Sequence, residues 1–369
     1  MNELVIWANS YCRSTLAFYR GLGTASSLPV KIVVMKGLSE ARKKTGFDNS
    51  EFADLDIVPY EGIKKAEQLL FSSKNSLHIF GAYQSRLFIR LIESAIRSNI
   101  SFGVASEAPC NMVSWPIRPL KNAYQYFVLP AKVKNIVKEA SFIINYSGDD
   151  INSLIKIGWK AEKVIPCGYY SPRIPNTKNV LRGESNWLDF NILLSGIHQW
   201  HRSPMLLLKA LYELKKKGLS PTCNITQTGP LLGKMKQYAE KHKLTNVNFL
   251  GFVDLEVLNH LYENCSVYVG TGNYEPWGMR LNDVLQCGAP LIVNRGMGGV
   301  KLVDDYGCGL TFNRNDYMGL AEVLEKMMKE KDLYLLLAQK AFVAAESIIP
   351  ERQAAKISYE VQKKIRHLF

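Results

Sequence analysis

The strongest constraint on this chain is a rhythm of short apolar runs and helix-spaced segments that proceeds, pauses and begins again. Leu4–Trp7, Val30–Val34, Leu77–Phe80, Ile100–Val104 and Phe142–Ile144 are apolar runs bounded by turn residues, and segments such as Ser85–Arg97 and Ala131–Lys138 carry helical spacing between them. Strands that alternate with helices build a parallel sheet covered on both faces, and such strands read as continuous apolar runs. The rhythm stops over residues 169–189, where Tyr-Tyr-Ser-Pro-Arg-Ile-Pro-Asn leads into a polar stretch, and this reads as a linker. It resumes with strands at Ile192–Leu194, Cys223–Thr226, Val247–Leu250, Val267–Val269 and Leu291–Val293. Helices are expected at Leu206–Lys217, Leu231–Lys243, Leu255–Asn264, through Leu285, and at Ala321–Lys329 and Leu333–Ala344. The 369 residues give room for two domains. The expected fold class is α/β, with two doubly wound Rossmann-like domains at 1–168 and 190–349 facing each other across a cleft. Residues 350–369 form a separate amphipathic helix after Pro350, free to return to the first domain. Ligands of such folds sit at the carboxyl ends of the strands, and the interdomain cleft is the expected place.

Several classes are excluded. No stretch approaches the roughly 18 apolar residues of a membrane-spanning helix, and the N-terminus lacks the basic region of a secretory signal. The seven cysteines are odd in number and scattered, with no C-x-x-C pair and no zinc-site spacing, which fits free thiols in a reducing compartment and a cytoplasmic protein. The formal charge of +13 is spread over both halves, and no nucleic-acid-binding module is recognisable, so a nucleic-acid partner is not expected. The clearest local excess lies between Glu107 and Glu139. It holds Arg118, Lys121, Lys132, Lys134 and Lys138, interleaved with Trp115, Tyr124, Tyr126 and Phe127. Such a segment, residues 115–138, suits peripheral contact with an anionic membrane or a phosphate-bearing ligand. It is also what a solvated helix with inward-packed aromatics looks like.

The most informative stretch is Tyr274-Glu275-Pro276-Trp277-Gly278-Met279-Arg280-Leu281-Asn282-Asp283, followed by Val-Leu-Gln-Cys-Gly-Ala-Pro-Leu-Ile-Val. A strand ends near Val269, a glycine-bearing loop follows, and a helix runs from near Gly278 to a glycine stop at Gly288. Backbone N–H groups at such a loop suit an anion, and Gly278 lets a ligand approach closely. Glu275 and Asp283 flank that anion site. Carboxylates accept strong hydrogen bonds from sugar hydroxyls, so a nucleotide sugar has the matching parts.

This segment resembles the E-P-F-G-x-x-x-x-E stretch of the family-four retaining glycosyltransferases of the GT-B fold. Ala140–Ser147, Lys163–Gly168, Thr228-Gly229-Pro230-Leu231, Val247–Val253 and Gly298-Gly299 resemble further segments of that family in its order. The resemblance covers most of residues 140–312; residues 1–130 agree only in architecture. It implies that Glu275 contacts the donor sugar's hydroxyls and that Asp283 stands where a glutamate holds the ribose. It implies that backbone amides at Trp277, Gly278 and Met279 face sugar and diphosphate, and that Phe252 and Val253 line the base pocket. The G-x-G-P-L segment brings in Gly229. The family's G-R-L-x-x-x-K-G phosphate segment falls on Gly196-Ile197-His198-Gln199-Trp200-His201-Arg202-Ser203, so Arg202 replaces the lysine as a permanent cation. Ile197 takes the place of the usual arginine, leaving a second cation to His198 or to a residue of the first domain. Asp283 is one methylene shorter than the usual glutamate.

In the first domain, Glu107 follows the strand ending at Val104 and is a candidate for acceptor or sugar hydroxyls, with a helix-capping or salt-bridged role as the competing reading. Ser10 and Arg13 lie in the loop after the first strand, where related enzymes approach the diphosphate. The Gly21-Leu22-Gly23 segment follows no strand and reads as a helix end. The implied function is retaining, metal-independent transfer of a hexose from a UDP- or GDP-sugar to a glycan or lipid-linked acceptor. The setting would be bacterial surface polysaccharide or lipopolysaccharide assembly at the cytoplasmic face of the inner membrane. No bound cofactor is expected beyond the donor. A sugar-nucleotide epimerase on the same scaffold and a nucleotide-sugar-binding protein without turnover remain open.

Overall fold

The computed structural model describes residues 2–36, 50–109 and 117–365. The chain forms two compact units: among the described residues, the first runs to Pro172 and takes in the segment from Ile349 onward, and the second is Arg173–Ile348.

The first unit is built on seven strands: β1 Leu4–Ala8, β2 Val30–Val34, β3 Asp56–Pro59, β4 Leu77–Gly81, β5 Phe102–Ser106, β6 Ile143–Asn145 and β7 Val164–Pro166. All pair in parallel, in the order β3-β2-β1-β4-β5-β6-β7. β1 pairs on both sides, Leu4 lying opposite Val30 and Leu77, and all five of its residues are buried, which is why it reads as an unbroken apolar run. β3 and β7 were not expected. Both lie at sheet edges, and β3 has no fully buried residue, so neither has an apolar run to announce it.

Helix Arg86–Arg97 starts at Ser85, whose Oγ accepts from the Phe88 amide at 3.3 Å. Helix Pro350–Ile365 packs on helix Arg13–Ser26. Gly21 and Gly23 lie inside the latter, not at its end. A Cβ on Gly21 would stand 2.6 Å from Ala354 Cβ, so the glycine lets the two helices close.

Helix Arg118–Ala123 continues through a π-helical turn at Tyr124–Val128 into helix Leu129–Glu139. Its aromatics do not pack inward. Tyr124, Tyr126 and Phe127 are exposed, as are Ile117, Leu120 and Val128, and Phe127 is 79% exposed. Lys132, Lys134 and Lys138 on the same element are exposed too. Trp115 lies outside the described residues.

The second unit has six strands: β8 Asn191–Leu194, β9 Thr222–Thr226, β10 Val247–Gly251, β11 Val267–Gly270, β12 Leu291–Asn294 and β13 Gly309–Phe312, ordered β10-β9-β8-β11-β12-β13 and all parallel. Its core joins Ile192, Val267, Val269 and Ile292 of the sheet to Leu207, Leu211, Leu320 and Leu324 of flanking helices. The strand order reverses between β8 and β11, so the connections leaving those two strands diverge to opposite faces and open a crevice at their carboxyl ends.

The stretch 169–189 is anchored by one buried arginine. Arg182 is 1% exposed, and its guanidinium donates to the carbonyls of Cys265 at 2.9 Å, Val180 at 2.6 Å, Cys287 at 2.7 Å and Tyr262 at 2.5 Å. Helix Glu184–Leu188 follows directly. The six described cysteines are free, and no single described helix is long and apolar enough to cross a membrane.

Candidate functional site

The crevice of the second unit holds a cavity of about 310 Å³, lined by residues that follow β8, β9, β11 and β12. Ser195, Gly196, Ile197, His198 and Arg202 come from the β8 connection, and Gln227 follows β9. Thr271, Gly272, Glu275, Gly278, Met279 and Arg280 come from the β11 connection, and Met297 follows β12. The sequence-derived candidates Gly196, His198, Arg202, Glu275, Gly278 and Met279 thus meet at one place.

Two glycines shape it. Gly196 has φ 134°, and a Cβ there would lie 3.0 Å from Arg202 Nη1, so its absence lets the guanidinium settle over the backbone. Gly278 has φ 99° and caps helix Met279–Leu285, and a Cβ would lie 2.4 Å from Met297 Cε.

Glu275 is largely buried and accepts a hydrogen bond from Arg202 Nε at 3.1 Å, with His201 Nε2 at 3.9 Å. Arg202 lies in a single 3₁₀ turn, Trp200–Arg202, and not in a helix. The loop carrying these groups is fixed by a polar network. Thr271 Oγ1 donates to the Arg202 carbonyl at 2.6 Å, Asn273 Nδ2 to Ser203 Oγ at 2.7 Å, and Asn294 Nδ2 to Asn273 Oδ1 at 2.9 Å. The amides of Asn273 and Tyr274 both donate to the His201 carbonyl. A buried network with its members satisfied holds a unique loop shape.

His198 is almost wholly buried, and among the described residues its Nε2 has no hydrogen-bond partner. Burial lowers its pKa, so the ring stays neutral near pH 7. His201 is lowered as well, again chiefly by burial and against the opposing pull of Glu275.

Other candidates fall elsewhere. The Trp277 side chain is buried, with Nε1 donating to Asn282 Oδ1 at 2.6 Å, and the residue does not line the cavity. Asp283 also lies off the cavity wall and pairs with Arg280 Nη1 at 3.3 Å. Gly229 packs against the His198 backbone, which a Cβ would strike at 2.6 Å. Phe252 and Val253 follow β10, Phe252 being 71% exposed, and neither lines this cavity.

Arg280, Tyr268 and Gln227 line the cavity but were not singled out from the sequence. Tyr268 lies within a strand and Gln227 in a short turn, and nothing in their local pattern marks them. Arg280 falls on an unspecified position of the Glu275–Asp283 segment, so the motif gives it no role. Its Nη1 also donates to Tyr262 Oη at 3.1 Å, and the Tyr262 phenol, ahead of Asp283, holds the guanidinium still more firmly protonated against the opposing effect of burial.

Three candidates belong to the first unit. Glu107 follows β5 and accepts from the Tyr169 hydroxyl, whose pKa rises well above its usual value through burial and then through the Glu107 charge. Tyr169 stacks on Tyr146 at 4.7 Å, and Tyr146 donates to Tyr19 Oη at 3.3 Å. Arg13 opens helix Arg13–Ser26 and grips Glu51 through Nε at 2.6 Å and Nη2 at 3.0 Å, with Nη1 on the Pro172 carbonyl at 3.3 Å. Ser10 is half-buried in the loop after β1.

Residues 189–342 match the family model of glycosyl transferases group 1. A probable sucrose-phosphate synthase of Thermosipho melanesiensis is 27% identical over 114 residues, covering 30% of this chain and 26% of that protein, so the match spans about a quarter of that relative's length. Among solved structures, HepE of Anabaena in complex with UDP and glucose aligns over 100% of both chains with TM-score 0.66 and 13% identity. The lipopolysaccharide outer core galactosyltransferase WaaB aligns over 99% of this chain and 100% of its own with TM-score 0.67 and 12% identity. The fold is GT-B, and the matches support a glycosyltransferase.

Proposed function

We propose that the chain is a retaining glycosyltransferase that moves a hexose from a nucleoside-diphosphate sugar to a glycan or lipid-linked acceptor in bacterial surface-polysaccharide assembly. The observation that carries this reading is the Arg202–Glu275 pair on the wall of a cavity that also exposes Gly196, Gly278 and Met279. A cation, an accepting carboxylate and backbone free of side chains are what a diphosphate joined to a hexose requires. The cavity volume lies at the lower end of the range for small-molecule sites, roughly 300–1,000 Å³.

In this reading Glu275 takes hydrogen bonds from the sugar's hydroxyls and holds Arg202 toward the leaving diphosphate. As the bond from the anomeric carbon to the diphosphate oxygen lengthens, negative charge grows on that oxygen, and a cation already in place stabilises it without reorganisation. His198 Nε2, buried and unpartnered, offers the neutral ring a polar contact with the donor. The first unit binds the acceptor, with Glu107 meeting its hydroxyls. Front-face attack with retention, and catalysis without a metal, follow from the family resemblance.

A thermal-shift screen against UDP-, GDP- and ADP-sugars tests donor binding, because a ligand of the folded state raises the melting temperature. Stabilisation by one nucleotide series, undiminished by EDTA, supports the proposal; the absence of any shift at millimolar donor ends it. The anomeric configuration of the product, read by NMR, decides retention.

The acceptor is proposed to be lipid-linked because helix Arg118–Glu139 carries an exposed apolar face with lysines beside it. Flotation with anionic vesicles, lost in Phe127→Glu, is the expected outcome. No flotation of the unaltered chain removes the membrane from the reading.

A further inference from the structure

The donor site proposed above must neutralise a diphosphate, and the β8 connection supplies one arginine to it. Ile197, which lines the cavity and stands where the resembling family has a second cation, carries no charge. We propose that Arg280 is that second cation, delivered from the β11 connection in place of the β8 connection. This rests on the proposed donor site and names the residue that completes it.

Three observations carry the assignment. Arg280 lines the same cavity as Arg202 and Glu275. Among the described residues only its Nη1 is engaged, with Tyr262 Oη and Asp283 Oδ2, so Nε and Nη2 keep N–H groups to donate. Its charge is permanent, and the Tyr262 phenol and Asp283 reinforce it. His198, the other candidate for a substitute cation, is driven toward its neutral form by burial and cannot fill the role near pH 7.

The two departures of this sequence from the family pattern then explain each other. Asp283 sits three residues after Arg280 on one helix face and holds its guanidinium. A glutamate there would carry its carboxylate further by about one C–C bond, 1.5 Å, and move the anchor. The shortened acid is therefore the positioning residue for the relocated cation. Each arginine of the cavity has its own carboxylate, Arg202 with Glu275 and Arg280 with Asp283.

The test is calorimetric titration with the nucleoside diphosphate that best stabilises the unaltered chain, alongside its nucleoside. Arg280→Met and Arg280→Gln, either of which suffices if folded by its melting curve, are expected to weaken the diphosphate by about 10-fold or more. Nucleoside binding should stay within about twofold, because a lost phosphate contact removes no base or ribose contact. Adding Ile197→Arg to either variant should recover at least half of the lost binding energy, which no merely structural role for Arg280 predicts. Unchanged diphosphate affinity, equal weakening of nucleoside and diphosphate, or no recovery with Ile197→Arg each overturns the assignment. If the unaltered chain binds no nucleoside diphosphate, the donor site itself fails; if it binds and the variants match it, only the role of Arg280 fails.

Discussion

The two units share one winding and use the ends of their strands in opposite ways. In both, the sheet is parallel and its order reverses beside the first strand, β1 in one and β8 in the other. In the second unit the loops beyond that reversal leave a cavity with two arginines and a carboxylate on its wall. In the first unit, among the described residues, groups that follow the strands engage one another. Tyr19, Tyr146 and Tyr169 pack and hydrogen-bond together, Tyr169 engages Glu107, and Arg13 is gripped by Glu51. A doubly wound sheet therefore offers a place for chemistry, and the residues in its loops decide what that place can hold.

The largest effect that could break this contrast is catalytic. Glu275→Ala removes the carboxylate that orients Arg202 and receives the sugar, and transfer is expected to fall by about 100-fold or more with the melting temperature nearly unchanged. Glu107→Ala in the first unit should reduce turnover far less. A larger loss from Glu107 than from Glu275, in a radiolabelled-sugar transfer assay, would reverse the roles assigned to the units.

Acid should next separate them by stability. His78 in β4 is fully buried; its Nδ1 accepts from Trp7 Nε1 at 3.1 Å, which leaves Nε2 to donate to the Ser73 carbonyl at 3.1 Å. Burial pushes its pKa from 6.5 down to about 4. The unfolded chain therefore takes up the proton first as pH falls. Stability is full above pH 6.5 and declines between 6.5 and about 4, by on the order of 3 kcal/mol, because only the unfolded chain gains the proton there; the Trp7 bond is lost when the folded ring protonates, below about 4. Hydrogen exchange of peptides covering β1 and β4, compared at pH 7 and 4.5, should show protection lost there more than at β8 and β11. Equal loss in the two sheets would mean that His78 does not set the acid limit of its unit.

A glycine pair gives a smaller and sharper test. Gly62, ahead of helix Ile63–Ser72, and Gly278, ahead of helix Met279–Leu285, have φ 110° and 99°. Alanine at either is expected to cost about 1–3 kcal/mol of stability through backbone strain. Nothing lies within 4 Å of a Cβ on Gly62, whereas one on Gly278 meets Met297 at the cavity. Only Gly278→Ala should weaken nucleotide binding, by about 10-fold, and equal binding in both variants would remove Gly278 from the site.

The same contrast explains what the sequence revealed. Buried central strands such as β1 and β11 are legible because both faces need apolar side chains, whereas edge strand β3 has no buried residue and edge strand β7 has only Val164 and Ile165 buried, too short a run to read. In the second unit, the meeting of Gly196, Gly278 and Glu275 on one cavity wall was legible, because glycines and a carboxylate in loops beyond strands are conspicuous. The pairing of Asp283 with Arg280 was not legible, because it depends on side-chain reach along a helix face, which motif spacing does not express. The outward turn of Tyr124, Tyr126 and Phe127 was equally hidden, since a π-helical turn shifts the helical phase by which inward and outward positions are counted. In the first unit the joining of the tyrosines depends on contacts between residues distant in sequence, such as Tyr19 with Tyr146.

The smallest expected effect lies in two arginine–glutamate pairs that the sequence treats alike. Arg13 meets Glu51 through two nitrogens, at 2.6 and 3.0 Å, and Arg202 meets Glu275 through Nε at 3.1 Å. The first arginine is occupied by its partner, and the second keeps its outer N–H groups on the cavity wall. A double-mutant cycle of Arg13→Ala and Glu51→Ala should give a coupling below about 1 kcal/mol, since both side chains are partly exposed and screened by solvent. Donor affinity in Arg13→Ala should stay within about twofold of the unaltered chain, against a loss of about 10-fold or more in Arg202→Ala. A comparable loss from both would make Arg13 a donor ligand, as its place after β1 suggests.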